Sequence, residues 1–90
     1  MLKVTATKLF KKDYVKIAKR GKDITKINRV ISLLEQCLPL DKKYRDHKLT
    51  GRYLGSRDCH IEPDWLLIYK ILKDELVLER TGTHSDLFNK

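Results

Sequence analysis

Residues 56–81 read SRDCHIEPDWLLIYKILKDELVLERT. This stretch decides the fold, because it holds three strand patterns separated by two short turns. Ser56, Asp58, His60 and Glu62 alternate with Arg57, Cys59 and Ile61, the period of a strand whose successive side chains leave on opposite faces. Pro63-Asp64 is a turn. Trp65 to Leu72 is an apolar and aromatic run, Lys73-Asp74 a tight turn, and Glu75 to Thr81 a further strand. Strands joined by turns this short pair as an antiparallel meander.

Upstream, the period changes. Residues 2–6 alternate apolar and polar, as a short strand does. From Thr7 onward Phe10, Tyr14, Ile17 and Ala18 fall at i, i+4, i+7 and i+8, one face of a helix, with lysines filling the other. Gly21 is a stop signal, and Asp23 is placed to cap a second helix. Ile24, Ile27, Val30, Ile31, Leu34 and Leu38 extend that helix to Pro39, which ends it. The two helices form a hairpin. Residues 41–55 are charged, punctuated by Gly51 and Gly55, and read as loop or short turns. Downstream, Thr83 to Phe88 reads as a last helical turn with Thr83 as cap.

Residues 1–90 therefore make one α+β domain of two layers, in the order β-α-α-β-β-β. The helical hairpin packs on one face of a four-stranded, mainly antiparallel sheet. The other face is expected to be free, and concave because sheets twist.

The net charge is +8 and is unevenly spread. Residues 1–52 carry 15 Lys/Arg against 5 Asp/Glu, and residues 53–90 carry 5 against 7. A basic excess this lopsided points to nucleic acid or an acidic partner. Cys37 and Cys59 lie in no C-x-x-C pair and are too few for a disulfide framework, so both are expected as reduced thiols in or near the core. No apolar run reaches the length of a signal peptide or a membrane span, so the expectation is a cytoplasmic protein without a membrane partner.

The chemistry-bearing residues lie from position 46 onward: His47, His60 and His84, with Asp46, Asp58, Asp64 and Arg80. Asp58 and His60 share a strand face, and His84 follows Arg80 closely after Gly82. Such a set suits RNA cleavage by attack of the ribose 2′-OH on the adjacent phosphorus. Histidine serves as base or acid near neutral pH, and arginine holds phosphate oxygens without losing its charge. Each residue also has a plainer reading. A lone histidine in a small basic protein is usually a surface residue, and an aspartate beside it makes a local hydrogen bond. Arg80 pairs as easily with Glu79 or Asp86, and Trp65 and Tyr69 are more often core than stacking platforms. Zinc binding is disfavoured, because the histidines lack i, i+4 or H-x-H spacing. Phe88 is harder to dismiss, since it sits near a chain end that frays unless held.

Four stretches then carry a resemblance: Tyr44-Arg-Asp-His-Lys-Leu-Thr-Gly51, Ser56-Arg-Asp-Cys-His-Ile-Glu-Pro-Asp-Trp65, Leu67-Ile-Tyr-Lys70 and Glu79-Arg-Thr-Gly-Thr-His-Ser-Asp-Leu-Phe88. In them the chain resembles the YafQ branch of the RelE/ParE toxin superfamily over nearly its whole length. The resemblance implies a RelE-like fold and a toxin that cuts mRNA in the ribosomal A site without a metal or cofactor. It implies catalytic positions at His47, Asp58, His60, Asp64, Arg80, His84 and Phe88. His84 is implied as general acid, and His47 and His60 both stand as candidates for the base. Asp58 and Asp64 would tune or orient the histidines or contact substrate, Arg80 would steady the scissile phosphate, and Phe88 would stack on a base. The ribosome would supply the in-line orientation that free mRNA lacks. Implied partners are an acidic cognate antitoxin, ribosomal RNA, contacted by the helical lysines, and mRNA. Operator DNA would be reached only through the antitoxin. Rival readings are a gyrase-directed toxin of the ParE branch, a non-catalytic basic nucleic-acid-binding module, and a degenerate toxin that pairs without acting.

Overall fold

The computed structural model describes residues 1–88. Among them the chain runs β1 (Lys3–Ala6), α1 (Lys8–Lys19), α2 (Ile24–Glu35), β2 (His47–Lys48), β3 (Arg57–Glu62), β4 (Trp65–Leu72), β5 (Glu75–Gly82) and α3 (His84–Phe88). Short 3₁₀ turns stand at Lys42–Tyr44 and Gly51–Tyr53. The sheet order is β1-β5-β4-β3-β2, with β1 parallel to β5 and the other neighbours antiparallel. The α+β class, the meander and the helical layer are as the sequence implies. The sheet has five described strands rather than four, because His47 and Lys48 pair with Asp58 and Arg57 within the segment expected to be loop. Two residues are too short to show a period.

Each helix is bounded by its own side chains. Thr7 Oγ1 accepts from the Phe10 N–H at 3.0 Å and opens α1. Gly21, at φ 84°, closes it: its N–H donates to Ala18 O and that of Lys22 to Ile17 O. Asp23 Oδ1 accepts from the Thr25 N–H at 3.1 Å and caps α2. That helix ends at Glu35, short of the expected Leu38, because Cys37 adopts φ 59°. The Cys37 N–H donates to Leu34 O and that of Leu38 to Leu33 O, the same closing pattern without a glycine. Cys37 is consequently exposed and not a core thiol, whereas Cys59 is buried. A left-handed conformation costs a residue with a Cβ about 1 kcal/mol. Cys37→Gly is therefore expected to raise the midpoint of thermal unfolding by a few degrees; a lower midpoint would show that backbone entropy outweighs the relief of strain.

The main core lies between the helices and one sheet face. Phe10, Ile17, Ile27, Val30 and Leu34 meet Cys59, Trp65, Leu67, Tyr69, Leu76 and Leu78. Trp65 and Tyr69 are core residues, as their plainer reading had it. The Trp65 Nε1–H donates to Thr81 Oγ1 at 2.9 Å, and the Thr81 hydroxyl donates to Leu66 O at 2.7 Å, so this buried polar pair is satisfied.

The second face is not free. Leu66, Ile68 and Leu87 form a smaller cluster there, with Leu49, Tyr53 and Phe88 packed against it. The run Trp65–Tyr69 is apolar at every position because β4 is covered on both faces. The short C-terminal helix supplies that cover. Thr83 and Asp86 cap it reciprocally: the Asp86 N–H donates to Thr83 Oγ1 at 3.1 Å and the Thr83 N–H to Asp86 Oδ2 at 3.0 Å. Arg20 clamps Asp86 from α1 at 2.7 and 3.2 Å and holds its carboxyl well below the usual carboxylate range. Gly82 allows the fold-back, since a Cβ there would meet the Asp86 side chain at 2.9 Å. Among the described residues no helix is long and apolar enough to cross a membrane.

Candidate active site

Strand register gathers the candidate residues on the second face. His47 pairs with Asp58, Asp58 with Ile68, and Ile68 with Arg80, so these four form one row across β2, β3, β4 and β5. Two residues along β3, His60 starts a second row with Leu66 and Gly82. His84 opens α3 just beyond Gly82, and the fold-back of that helix returns it to His60. The ring centroids of His60 and His84 are 5.8 Å apart, and those of His47 and His60 6.3 Å apart. All three histidines thus stand side by side with His60 in the middle.

Their environments differ. His84 Nδ1 lies 2.5 Å from Asp64 Oδ1, which also accepts the His84 backbone N–H at 2.9 Å. These two bonds hold the exposed Asp64 carboxyl below its ordinary value. With Nδ1 committed to a carboxylate, Nε2 is the ring nitrogen that His84 has left for a substrate. His47 Nδ1 lies 2.7 Å from Arg45 O and 3.0 Å from Asp58 Oδ1. His60 is half-buried, and its Nδ1 is enclosed without a hydrogen-bond partner. Burial lowers its affinity for a proton below that of an ordinary histidine; the Asp58 charge opposes that shift and the neighbouring cations reinforce it.

Asp58 is 4% exposed, and burial pushes its carboxyl above the ordinary value, partly offset by the three histidines. The folded state therefore binds this proton more tightly than the unfolded chain does. The ionised carboxylate opposes folding at neutral pH, and the penalty vanishes below the unfolded value. Asp58→Asn is expected to stabilise the fold by about 1 kcal/mol at pH 7, raising the unfolding midpoint by about 4–8 °C. The gain should shrink as the pH is lowered through the carboxylate range. A lower midpoint at pH 7 would mean that pairing with His47 outweighs the burial.

Arg80 is paired with neither Glu79 nor Asp86. Its Nε and Nη2 donate to the two carboxylate oxygens of Asp13 on α1, at 2.7 and 3.1 Å. That bidentate bond keeps the guanidinium charged, with smaller support from the Tyr53 hydroxyl. Two of its five donors are thereby used by Asp13. Phe88 packs edge-on against Tyr53 at 5.7 Å and lies 6.5 Å from the His84 ring, so it borders the histidine row. Asp46 stands apart: it accepts from Arg57 at 3.1 and 3.3 Å and from the Tyr69 hydroxyl at 2.5 Å, which anchors the turn before β2.

Sequence reasoning missed Asp13 and Tyr53. Asp13 carried one signal, as the single acid in the lysine-rich α1. Tyr53 carried none. Among the described residues no group of three or more His, Cys, Asp or Glu side chains is arranged to hold a metal ion.

Residues 2–89 match the family described as "Bacterial toxin of type II toxin-antitoxin system, YafQ". The mRNA interferase toxin YafQ of Escherichia coli K12 is 48% identical over 80 residues, covering 88% of this chain and 87% of that protein. The fold is similar to that of YafQ in the E. coli DinJ-YafQ complex, with a TM-score of 0.90 and 43% identity over 98% of this chain and 99% of that one. It is also similar to a copper-bound mutant toxin from Helicobacter pylori, with a TM-score of 0.93 and 44% identity over 98% and 100% of the two chains. The chain belongs to the YafQ family of toxins of type II toxin–antitoxin systems.

Proposed function

We propose that this toxin is an endoribonuclease that cuts mRNA in the ribosomal A site, using the substrate's own 2′-OH as nucleophile. The observation that carries the reading is the row of three histidines closed by the His84–Asp64 pair at 2.5 Å. Two adjacent histidines in unlike environments supply a base and an acid on either side of one phosphate. His60, whose proton affinity burial lowers, is neutral at physiological pH and takes the 2′-OH proton. The 2′-oxygen bonds to phosphorus, and the P–O5′ bond breaks. His84 gives its proton to the departing 5′-oxygen, leaving a 2′,3′-cyclic phosphate and a 5′-hydroxyl. Arg80, held by Asp13, and His47 face the phosphate oxygens on which charge builds. Phe88 stacks on a nucleobase. This route asks for no metal, because the nucleophile is already on the substrate.

The ribosome holds the codon in an in-line geometry that a flexible strand seldom reaches. The basic helical surface contacts ribosomal RNA there. A cognate acidic antitoxin silences the toxin by covering this surface, in keeping with the DinJ-YafQ complex, and carries it to operator DNA. The place of action is the cytoplasm.

The ends of the fragments test the chemistry: 2′,3′-cyclic phosphate with 5′-hydroxyl is expected, and 5′-phosphate ends would refute 2′-OH attack. The choice of base is tested by kcat/KM against pH. The acid limb is expected below about 6.5, the ordinary histidine value, and should vanish in His60→Ala while persisting in His47→Ala. The reverse pattern would assign the base to His47.

A further inference from the structure

Beside the histidine row the surface opens into a groove of about 840 Å³ whose lining includes Lys26, Arg29, Lys43, Tyr44, Arg45 and His60. It exists because β2 reaches only Arg57 and Asp58, so among the described residues no strand covers the edge of β3 from Cys59 to Glu62. The volume lies within the range of pockets that enclose ligands of several hundred daltons, about 300–1,000 Å³.

Its charge is one-sided. Of the two acids at its wall, Asp23 is spent on capping α2, and Glu62 is held between Lys22 at 3.0 Å and Lys26 at 2.8 Å. Among the described residues Arg29, Lys43 and Arg45 face no carboxylate within ion-pair distance; Lys43 lies over the Tyr44 ring at 5.2 Å. Three exposed cations without counter-ions beside one aromatic ring make the arrangement that tracks a single-stranded polynucleotide. The groove is also joined to the site. Arg45 takes a left-handed conformation at φ 48°, and its carbonyl accepts the bond that orients His47, while His60 is common to both.

We infer that this groove binds the single-stranded RNA backbone next to the scissile phosphate, with Arg29, Lys43 and Arg45 as phosphate contacts. The inference rests on the proposed ribonuclease reading for its substrate, but its test does not need cleavage. The probe is a fluorescent 2′-O-methyl oligoribonucleotide of ten residues, titrated by anisotropy against the full chain carrying His84→Ala. Replacing Arg29, Lys43 and Arg45 with Ala is expected to weaken binding about tenfold at low salt and to reduce the slope of log affinity against log salt by about 2. Replacing Lys8, Lys12 and Lys19 on α1 removes the same charge and should change binding far less.

Glu62→Gln provides an arm of opposite sign. It frees Lys22 and Lys26, so RNA should bind several-fold tighter, a gain that misfolding cannot mimic. Equal losses in the two triple variants would reduce the effect to diffuse attraction and overturn the inference. So would an undetectable affinity of the parent chain, or a groove variant that keeps RNA but loses the acidic antitoxin. A chain that binds the probe through the groove yet cuts no mRNA on ribosomes would refute the nuclease reading alone.

Discussion

Replacing His84 with Ala is expected to abolish growth arrest in cells and to lower the rate of mRNA cleavage by about 10²–10⁴-fold, the range for loss of a positioned acid. On the proposed route the leaving 5′-oxygen departs as an alkoxide unless a proton reaches it, and His84 is the histidine of the row set closest to a carboxylate, 2.5 Å from Asp64. The same substitution should leave the fold and the antitoxin affinity intact, because the His84 ring is partly exposed and its backbone N–H still donates to Asp64. Arrest at similar protein levels, read from growth curves and immunoblots, would remove His84 from the chemistry. Asp64→Asn keeps the backbone bond and removes the charge, so it should give an intermediate loss.

Asp13→Ala is expected to produce the second large effect, on both stability and rate. The Asp13 carboxylate is mostly buried and accepts three bonds: from Arg80 Nε and Nη2 and from the Thr81 N–H at 3.2 Å. Where β1 ends at Ala6, α1 takes over the edge of β5, with Thr7 bonding Leu78 O and Glu79 O and Asp13 bonding Thr81 N–H. Truncation strands a guanidinium and a backbone donor and should cost about 2–3 kcal/mol, lowering the unfolding midpoint by about 10 °C. Asp13→Asn separates anchoring from positioning. It restores acceptors and much of the stability, yet replaces a charged fork by a neutral amide, so Arg80 is no longer fixed in the place the proposed mechanism needs. Cleavage by Asp13→Asn is expected to stay at least tenfold down at a temperature where the variant is fully folded. Full activity in that variant would make the pair a fold anchor without a part in orienting Arg80.

These two residues mark where the sequence could be read and where it could not. Asp58 and His60 were legible together because a strand sets alternate side chains on one face, and the register then added His47 and Arg80 to the same row. The motif around Arg80 and His84 named both positions, but not that Asp13 holds Arg80. That contact joins residues 67 apart, and no periodicity reports it. β2 was invisible for the opposite reason, being only His47 and Lys48 and too brief for alternation to register. The early end of α2 lay in Cys37, a residue with no standing preference for the left-handed region it occupies. One error was avoidable. Five apolar residues in succession, Trp65 to Tyr69, describe a strand buried on both sides, which already implied that something covers the second face. The cover is α3, and its capping by Thr83 brings His84 and Phe88 to the row.

The central claim is that the three-histidine row performs ribosome-dependent cleavage with His84 as acid. It is tested most directly by incubating the purified toxin with mRNA-programmed bacterial ribosomes and mapping the new mRNA 3′ ends, beside free mRNA and the His84→Ala protein. The predicted result is a set of ends inside the A-site codon, formed only on ribosomes and missing with the variant. Ends that appear equally on free mRNA, or that persist with His84→Ala, would contradict it.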